Sequence, residues 1–179
     1  MIPAQHTGPL ARIWSAGERA ISLLEHLQPA AQLAARVYVA SVFFRSGLTK
    51  LRDFDTTIAL FMDEYHVPLL DPTVAAVAGT AGELVLPVLL AFGLAGRFAA
   101  AGLSVMNVVA VLSLTEIAEA ALQGHVFWGS LLAALLLWGP GRWSVDGWAM
   151  PAVRRRVLGN SARADTLRRD LPQPHAIRR

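Results

Sequence analysis

The sequence predicts an all-α integral membrane protein: a four-helix transmembrane bundle with amphipathic interfacial helices before the first span, between the first two spans and after the fourth. Three observations predict this fold class. The mean hydropathy is +0.44, and only 16% of the 179 residues are charged, against about a quarter in soluble domains. Four apolar stretches approach the roughly 20 residues that a bilayer core requires. If the chain crosses the membrane four times, most of the basic residues lie on the same side of the membrane.

Residues 1–32 are predicted to form an amphipathic helix on the cytoplasmic side. Apolar side chains recur at helical spacing from Leu10 to Leu27, and Arg12, Glu18 and Arg19 fall between them. These charges interrupt the apolar run that a signal peptide needs. We expect the helix to lie on the inner leaflet; the alternative is a soluble helix packed on its own protein.

The four-span domain is predicted to cover residues 33–146, with spans at about 33–51, 73–95, 98–115 and 120–138. The first span contains Arg36, Arg45 and Lys50, whereas the second contains a single charge, Glu83. The third has no charge at all. The fourth is uninterrupted only from Val126, so it must begin near residue 120 or thin the membrane locally.

The distribution of basic residues predicts the orientation. With four spans, the N-terminus, the loop around Arg97 and the C-terminus share one side. That side holds every Lys and Arg except Arg45, Lys50 and Arg52. Because basic residues accumulate in cytoplasmic segments, we predict a multi-pass protein of the bacterial cytoplasmic (inner) membrane with both termini inside. A three-span topology would place the run of arginines at 154–156 outside the cell, which contradicts this rule.

Two further segments are predicted at the membrane surfaces. Residues 54–67 are expected to cap the bundle from outside through one apolar helical face, formed by Phe54, Ile58, Phe61, Met62 and Tyr65. After the fourth span, Gly139, Pro140 and Gly141 end the helix, and Ser144 or Asp146 is expected to cap a short interfacial helix. Residues 147–179 are predicted to form a basic cytoplasmic tail, which we expect to be partly disordered from its composition.

One face of the first span is distinctive. Arg36, Phe43, Gly47 and Lys50 lie within an arc of about 60° on an ideal helix. Gly47 allows a neighbouring backbone to approach closely, while Arg36 and Lys50 mark the inner and outer ends of the face. The alternative for both cations is snorkelling to the two interfaces.

Glu83 is the principal candidate for a functional group, because it is predicted to lie about 15 Å inside its helix end, in the middle of the bilayer. Arg45 is the first candidate partner by depth, and Lys50 is the second. The structural alternative is a buried ion pair with no further role, or a protonated Glu83 hydrogen-bonded to Asn107 or Ser104. The functional alternative is a polar pocket that binds a quinone headgroup or passes a proton.

The composition also restricts the chemistry. The chain has no cysteine, so in any redox role the electron carrier must be supplied by another molecule. No intrinsic cofactor is predicted. The basic residues lie at the chain ends around an apolar middle, which favours a lipid bilayer over nucleic acid as the partner. The scattered His66, His125, Glu116 and Glu119 form no metal motif, so no metal site is predicted.

Several segments together resemble the DoxX family of small membrane proteins, which includes DoxD-like members. The run from Arg36 through Gly47 to Leu51 is similar to the first-helix signature of that family. Glu83-Leu84 with Pro87, the turn from Gly93 to Arg97, and the segment Gly139-Pro140-Gly141-Arg142-Trp143-Ser144-Val145-Asp146 follow in order. The resemblance extends from about Leu33 to Asp146.

The resemblance implies two classes of function and leaves enzymatic activity open. One is an accessory or quinone-linked subunit of a membrane redox system; for that class, the intramembrane polar residues lead us to expect that Glu83, Arg45 and Lys50 bind a membrane quinone and manage its protons. The other is a non-catalytic scaffold that recruits partners, for instance in metal or redox-stress handling, and a homodimer is compatible with both. A small transporter is disfavoured because no internal repeat is visible.

Overall fold

The computed structural model describes residues 8–67 and 69–152 of the chain. Five helices follow one another in these ranges: α1 Pro9–Arg52, α2 Phe54–Asp63, α3 Pro72–Phe92, α4 Gly96–Leu112 and α5 Glu119–Trp138. Residues 145–152 are also helical, and a single β-bridge joins Tyr65 to Leu114. The all-α fold class is therefore confirmed for this part of the chain. Most of the predicted basic tail lies outside the described residues, as does the start of the predicted N-terminal helix.

The C-terminal half of α1 packs with α3, α4 and α5 around one apolar core. The core is built from large aliphatic and aromatic side chains and from alanines that allow close helix packing: Val39, Phe43, Leu90, Ala99, Ala100, Leu103, Leu132 and Leu135. The cross-helix contacts show that α1, α3, α4 and α5 run in alternating directions, so the bundle has two distinct ends. We call the end that bears α2 the α2 end, and the end formed by residues 93–96 and 139–146 the turn end.

The first helix differs from the prediction. A separate amphipathic helix over residues 1–32 followed by a span at 33–51 was expected, but α1 is one uninterrupted helix of 44 residues. Pro29 lies inside it and removes one backbone donor. The residues that follow Pro29, Ala30 to Ala35, are mostly strong helix formers and contain no stop signal. Residues 10–28 extend beyond the bundle and are exposed on all sides, so packing as a soluble helix on the same chain is wrong.

The predicted cap between the first two spans is present as α2. The Asp53 carboxylate accepts hydrogen bonds from Thr56 N at 3.0 Å and Thr56 Oγ1 at 2.7 Å, which starts the helix. Phe61 is buried against Ala75 and Ala76 of α3, with Ile58 packed beside it. Met62, which was also assigned to the buried face, is exposed.

The helix lengths bear on membrane crossing. Among the described residues, Pro72–Phe92 and Glu119–Trp138 are long and apolar enough to cross a bilayer, and Gly96–Leu112 is apolar but shorter. The predicted second span overran its helix because Gly93 adopts a left-handed conformation, with φ of 65°, and ends α3 at Phe92. Two crossings are thus supported by length and hydropathy, and the four-span topology remains a prediction.

Candidate functional site

A cavity of about 460 Å³ lies at the α2 end of the bundle, and residues of all five helices line it. This volume falls within the range of about 300–1,000 Å³ that is usual for small-molecule sites. Most of its wall is apolar, with aromatic rings from Phe43, Phe61 and Trp128. The polar side chains in the wall are few, and they are Ser46, Lys50, Tyr65, Glu83, Ser113 and His125.

Lys50 and Glu83 form an ion pair in the cavity wall. Lys50 Nζ donates to Glu83 Oε1 at 2.5 Å, and the two side chains are only 22% and 11% exposed. Arg45, the first candidate partner, is exposed instead, because five residues along a helix rotate a side chain by about 140° from Lys50. The Arg45–Glu83 pairing is therefore wrong, Lys50 makes the contact, and Lys50 does not snorkel away from the bundle.

Gly47 explains how Lys50 reaches Glu83. A Cβ atom at Gly47 would lie 3.0 Å from Glu83 Cβ and 3.0 Å from Leu84 Cγ, closer than side chains normally approach. The absence of a side chain thus lets α1 and α3 come together one turn before Lys50. The close approach predicted at Gly47 is confirmed.

The second oxygen of Glu83 has no partner among the described residues. Glu83 is 8% exposed, and its Oε2 atom is buried without a hydrogen bond, as is the neighbouring Thr80 Oγ1. A buried polar atom without a partner costs free energy, and because Glu83 lines the cavity whereas Thr80 does not, Glu83 Oε2 is a position where a ligand can bind. Glu83 therefore offers one acceptor oxygen while the other contacts Lys50.

Asn107 has a different partner from the one predicted. Its Nδ2 atom donates to the backbone oxygen of His125 at 2.9 Å, and its Oδ1 atom lies 2.8 Å from His125 Nδ1. Ser104 donates to Ala100 O within α4. Hydrogen bonds from Glu83 to Asn107 or Ser104 are thus not formed, and Asn107 instead joins α4 to α5.

Sequence reasoning missed two residues of the cavity. His125 was considered only as a metal ligand, and Tyr65 only as an apolar residue of the cap, yet both line the cavity. Burial, reinforced by the charges of Glu64 and Glu83, raises the pKa of Tyr65 above its usual value, so its phenol remains protonated. The spacing of His125 and Trp128, one helical turn apart, was the signal that both side chains point the same way.

The remaining candidate residues lie at the turn end, away from the cavity. Arg36 is completely buried and donates to the backbone oxygens of Ala91, at 3.4 Å, and Trp143. It therefore does not snorkel to an interface. A side chain at Gly93 would collide with the Arg36 guanidinium, so this glycine makes room for the buried cation.

Asp146 holds the turn end together. Its two carboxylate oxygens accept hydrogen bonds from Ala95 N at 3.0 Å and Gly96 N at 2.7 Å, at the start of α4. Ser144 Oγ accepts from Gly147 N at 3.0 Å and thereby caps the helix at 145–152. Of the two predicted caps, Ser144 serves the interfacial helix, while Asp146 serves α4 as an anionic group at a helix N-terminus.

Three glycines and a proline shape the same junction. Gly139 and Gly141 both adopt φ of 86°, which disfavours any residue with a side chain. A Cβ atom at Gly96 would lie 2.6 Å from Pro140 Cβ, so α4 begins in direct contact with the turn after α5. The glycines and Pro140 therefore have a structural role in closing the bundle.

Comparison with known families decides the affiliation, because a DoxX family model matches residues 31–116. Residues 31–116 form a DoxX domain, which supports membership of the DoxX family. The DoxX match includes Lys50, Glu83 and Asn107 but ends before His125 and before the segment from Gly139 to Asp146. DoxX proteins are membrane-associated, and this chain is accordingly a small helical membrane protein in contact with lipid. Neither a curated protein nor a solved structure matches the chain significantly.

Proposed function

We propose that this DoxX-family protein binds a membrane quinone in the cavity at the α2 end and serves as the quinone-linked subunit of a membrane redox system. The supporting observation is the Lys50–Glu83 ion pair in the wall of an otherwise apolar cavity of about 460 Å³. Charged groups in such surroundings are costly to maintain. A lipophilic ligand with a polar ring would use both the apolar wall and the pair.

The cavity residues fit the chemistry of a quinone. Lys50 would donate to a ring carbonyl, and Glu83 Oε2 would accept from a ring hydroxyl. The rings of Phe43 and Trp128, whose centroids are 6.2 Å apart, would border the aromatic ring. A bound quinone supplies two-electron, two-proton redox chemistry. Glu83 Oε2 is placed to exchange a proton with a ring oxygen, Lys50 stabilises the carboxylate form of Glu83, and a partner protein provides the electrons.

The test uses the full chain purified from native membranes together with its partners. Reduction of a quinone analogue is measured for the wild type, for Glu83→Gln and for Glu116→Gln, an exposed control in the loop before α5. Loss of a proton-handling group lowers rates by about a hundredfold or more, so Glu83→Gln is expected to fall well below both other proteins. Wild-type turnover by Glu83→Gln would refute the proposed role.

We further propose four spans in the bacterial cytoplasmic membrane, with both chain termini in the cytoplasm. The charged residues of α1 make it less apolar than the two helices that are long and apolar enough to cross a bilayer. Arg36 is buried and Lys50 is paired, however, so these two side chains do not face lipid. The arginine distribution supports the orientation. Green fluorescent protein fused after residue 179 should fluoresce, and alkaline phosphatase fused within the loop before α3 should be active; the reverse pattern would exclude this topology.

A non-catalytic scaffold is the second candidate, and the exposed half of α1 favours it. Leu10, Trp14 and Leu24 are 81%, 73% and 67% exposed on one side of residues 10–28, an amphipathic arrangement suited to the inner leaflet or to a partner. For a scaffold, Glu83→Gln should lower thermal stability and partner recovery together. The wild type should then show no quinone binding.

A further inference from the structure

Residues 10–28, which we call the free half of α1, contain a seven-residue repeat. When Leu10 is labelled a in the heptad abcdefg, the a and d positions are Leu10, Ile13, Gly17, Ala20, Leu24 and Leu27. All the charged or titratable residues fall at b or c, and they are Arg12, Glu18, Arg19, Glu25 and His26. This separation of apolar and charged positions is typical of a helix that pairs with another helix along its length.

The apolar side of the free half is uncovered in the single chain. Its large side chains are 58–81% exposed, and they are Leu10, Ile13, Trp14, Ile21, Leu23, Leu24 and Leu27. With about 100 Å² for each Leu or Ile and about 200 Å² for Trp, they leave roughly 550 Å² of apolar surface open on each copy. Two copies would together provide roughly 1,100 Å², which reaches the roughly 1,000 Å² expected of a specific interface. Trp14 Nε1 donates to Glu18 at 2.8 Å, so its ring can be covered without an unpaired donor.

A bilayer covers little of this apolar side. Residues 29–52 of α1 extend about 36 Å, which already exceeds the bilayer core of roughly 30 Å. The free half continues the same unbroken helix for about 28 Å, whereas the headgroups add only about 5–7 Å on each side. Arg12 and Arg19 are balanced by Glu18 and Glu25, so the free half has no net charge that would attract it to anionic lipid.

The residues beside the a and d positions favour a second copy over a different partner. In coiled coils, charges at e and g select the partner and its orientation. None of the e and g residues in the free half is charged, and they are Trp14, Ala16, Ile21, Leu23 and Gln28. Copies inserted in the same orientation carry their free halves on one side of the membrane, so the two helices run parallel. They can therefore pair without like-charge repulsion, and confinement to one membrane raises their effective concentration.

We propose that the free half of α1 pairs with the free half of a second copy in a parallel coiled coil, with Leu10, Ile13, Leu24 and Leu27 in the seam. The two helices contribute the same surface to the interface, as in other symmetric dimers. The cavity wall in the described part of the chain includes none of residues 10–28, so the pairing is independent of quinone binding. It does rest on the proposed membrane crossing of α1, which the alkaline phosphatase fusion tests separately.

Disulfide cross-linking in native membranes tests the pairing, because the chain has no cysteine of its own. In a parallel pair, the same a residue of both copies meets in the seam, and a disulfide forms when the two Cα atoms lie within about 7 Å. Mild oxidation of Leu24→Cys should therefore give a covalent dimer of twice 19.3 kDa. Ser22→Cys is the matched control, since it is exposed at an f position two residues away. It should cross-link at least about tenfold more slowly.

A charge placed in the seam provides the second measurement. Added to Leu24→Cys, Ile13→Glu should slow cross-linking by at least about tenfold, because the two copies would bring like charges together. Ser15→Glu, at an f position of the same heptad, should leave the rate unchanged.

Three results would overturn the pairing: no covalent dimer, equal cross-linking of Leu24→Cys and Ser22→Cys, or no effect of Ile13→Glu. A Leu24→Cys conjugate of a different mass would replace the second copy by another protein. A dimer that forms only after deletion of residues 153–179 would show that this segment covers the free half in the full chain, and it would overturn the proposal as well.

Discussion

Gly47 of α1 lies against Glu83 of α3 so closely that a methyl group on Gly47 would be 3.0 Å from Glu83 Cβ. This contact places Lys50, one helical turn later, within 2.5 Å of the Glu83 carboxylate. The close approach and the ion pair are therefore two parts of one arrangement. Changes at Gly47 should act on the cavity as well as on helix packing.

Gly47→Ala should destabilise the protein. Overpacking costs about 1–3 kcal/mol, while alanine recovers at most about 1 kcal/mol of helix propensity. Thermal unfolding in detergent, followed by circular dichroism, measures the balance. Gly17→Ala is the control, since no atom lies within 4 Å of a Cβ placed there, and it should be neutral or stabilising. A Gly47→Ala protein as stable as the wild type would disprove the packing argument.

Lys50→Met should leave the buried Glu83 carboxylate without its cation. Breaking a buried pair costs about 3–5 kcal/mol, and the partial exposure of Lys50 favours the lower end, about 3 kcal/mol. The double variant Lys50→Met/Glu83→Leu should recover most of this loss because no lone charge remains. Arg45→Met, at an exposed position of the same helix, should change the unfolding free energy little. If the single and double variants prove equally unstable, the pair has no such role.

Asp146→Ala should weaken the turn end. It removes the acceptors for Ala95 N and Gly96 N, and the loss of a helix cap with charge-assisted bonds costs about 1–3 kcal/mol. Chemical unfolding in micelles and amide hydrogen exchange at residues 95–99 report the effect. Asp63→Ala is the control because Asp63 lies at the end of α2, where an acid is unfavourable. Unchanged protection at the start of α4 would contradict the capping role.

Acid should loosen α2 through Asp53. The side-chain hydrogen bond from Thr56, followed by its backbone bond, lowers the pKa of Asp53 from its usual 3.8. A carboxyl whose pKa is lower in the folded state stabilises it above its unfolded pKa, and this contribution is lost as the pH falls through the folded value. Hydrogen exchange of residues 54–57 should therefore lose protection below about pH 4. Asp53→Asn should lack this acid-dependent step; if both proteins respond equally, another group is responsible.

Most of the fold followed from apolar periodicity and from the turn residues. The four apolar segments predicted three helices to within a few residues, and the apolar face at 54–67 predicted α2. The continuity of α1 was missed because the change from a mixed to an apolar pattern near residue 32 suggested a boundary. The backbone, however, continues as a helix wherever strong helix formers follow and no stop signal occurs.

The candidate site was predicted less completely than the fold. Depth along the helices identified Glu83 but selected Arg45 as its partner, because depth does not specify which way a side chain points around its helix. The face shared by Gly47 and Lys50 contained that information. The pairing of Asn107 with His125 was not accessible, since it depends on the relative rotation of α4 and α5, which no local pattern encodes.

Because α1 is a single helix of 44 residues, it forms a rod of about 66 Å. Its exposed first half and the half that bears Lys50 belong to one mechanical body. A partner or a leaflet that bound and tilted the free half would therefore also shift Lys50 in the cavity wall. One residue inserted beside Pro29 would rotate the free half by about 100° about the helix axis and leave the bundle intact. Such an insertion would therefore redirect the exposed apolar side of the free half while leaving Lys50 and the cavity wall in place.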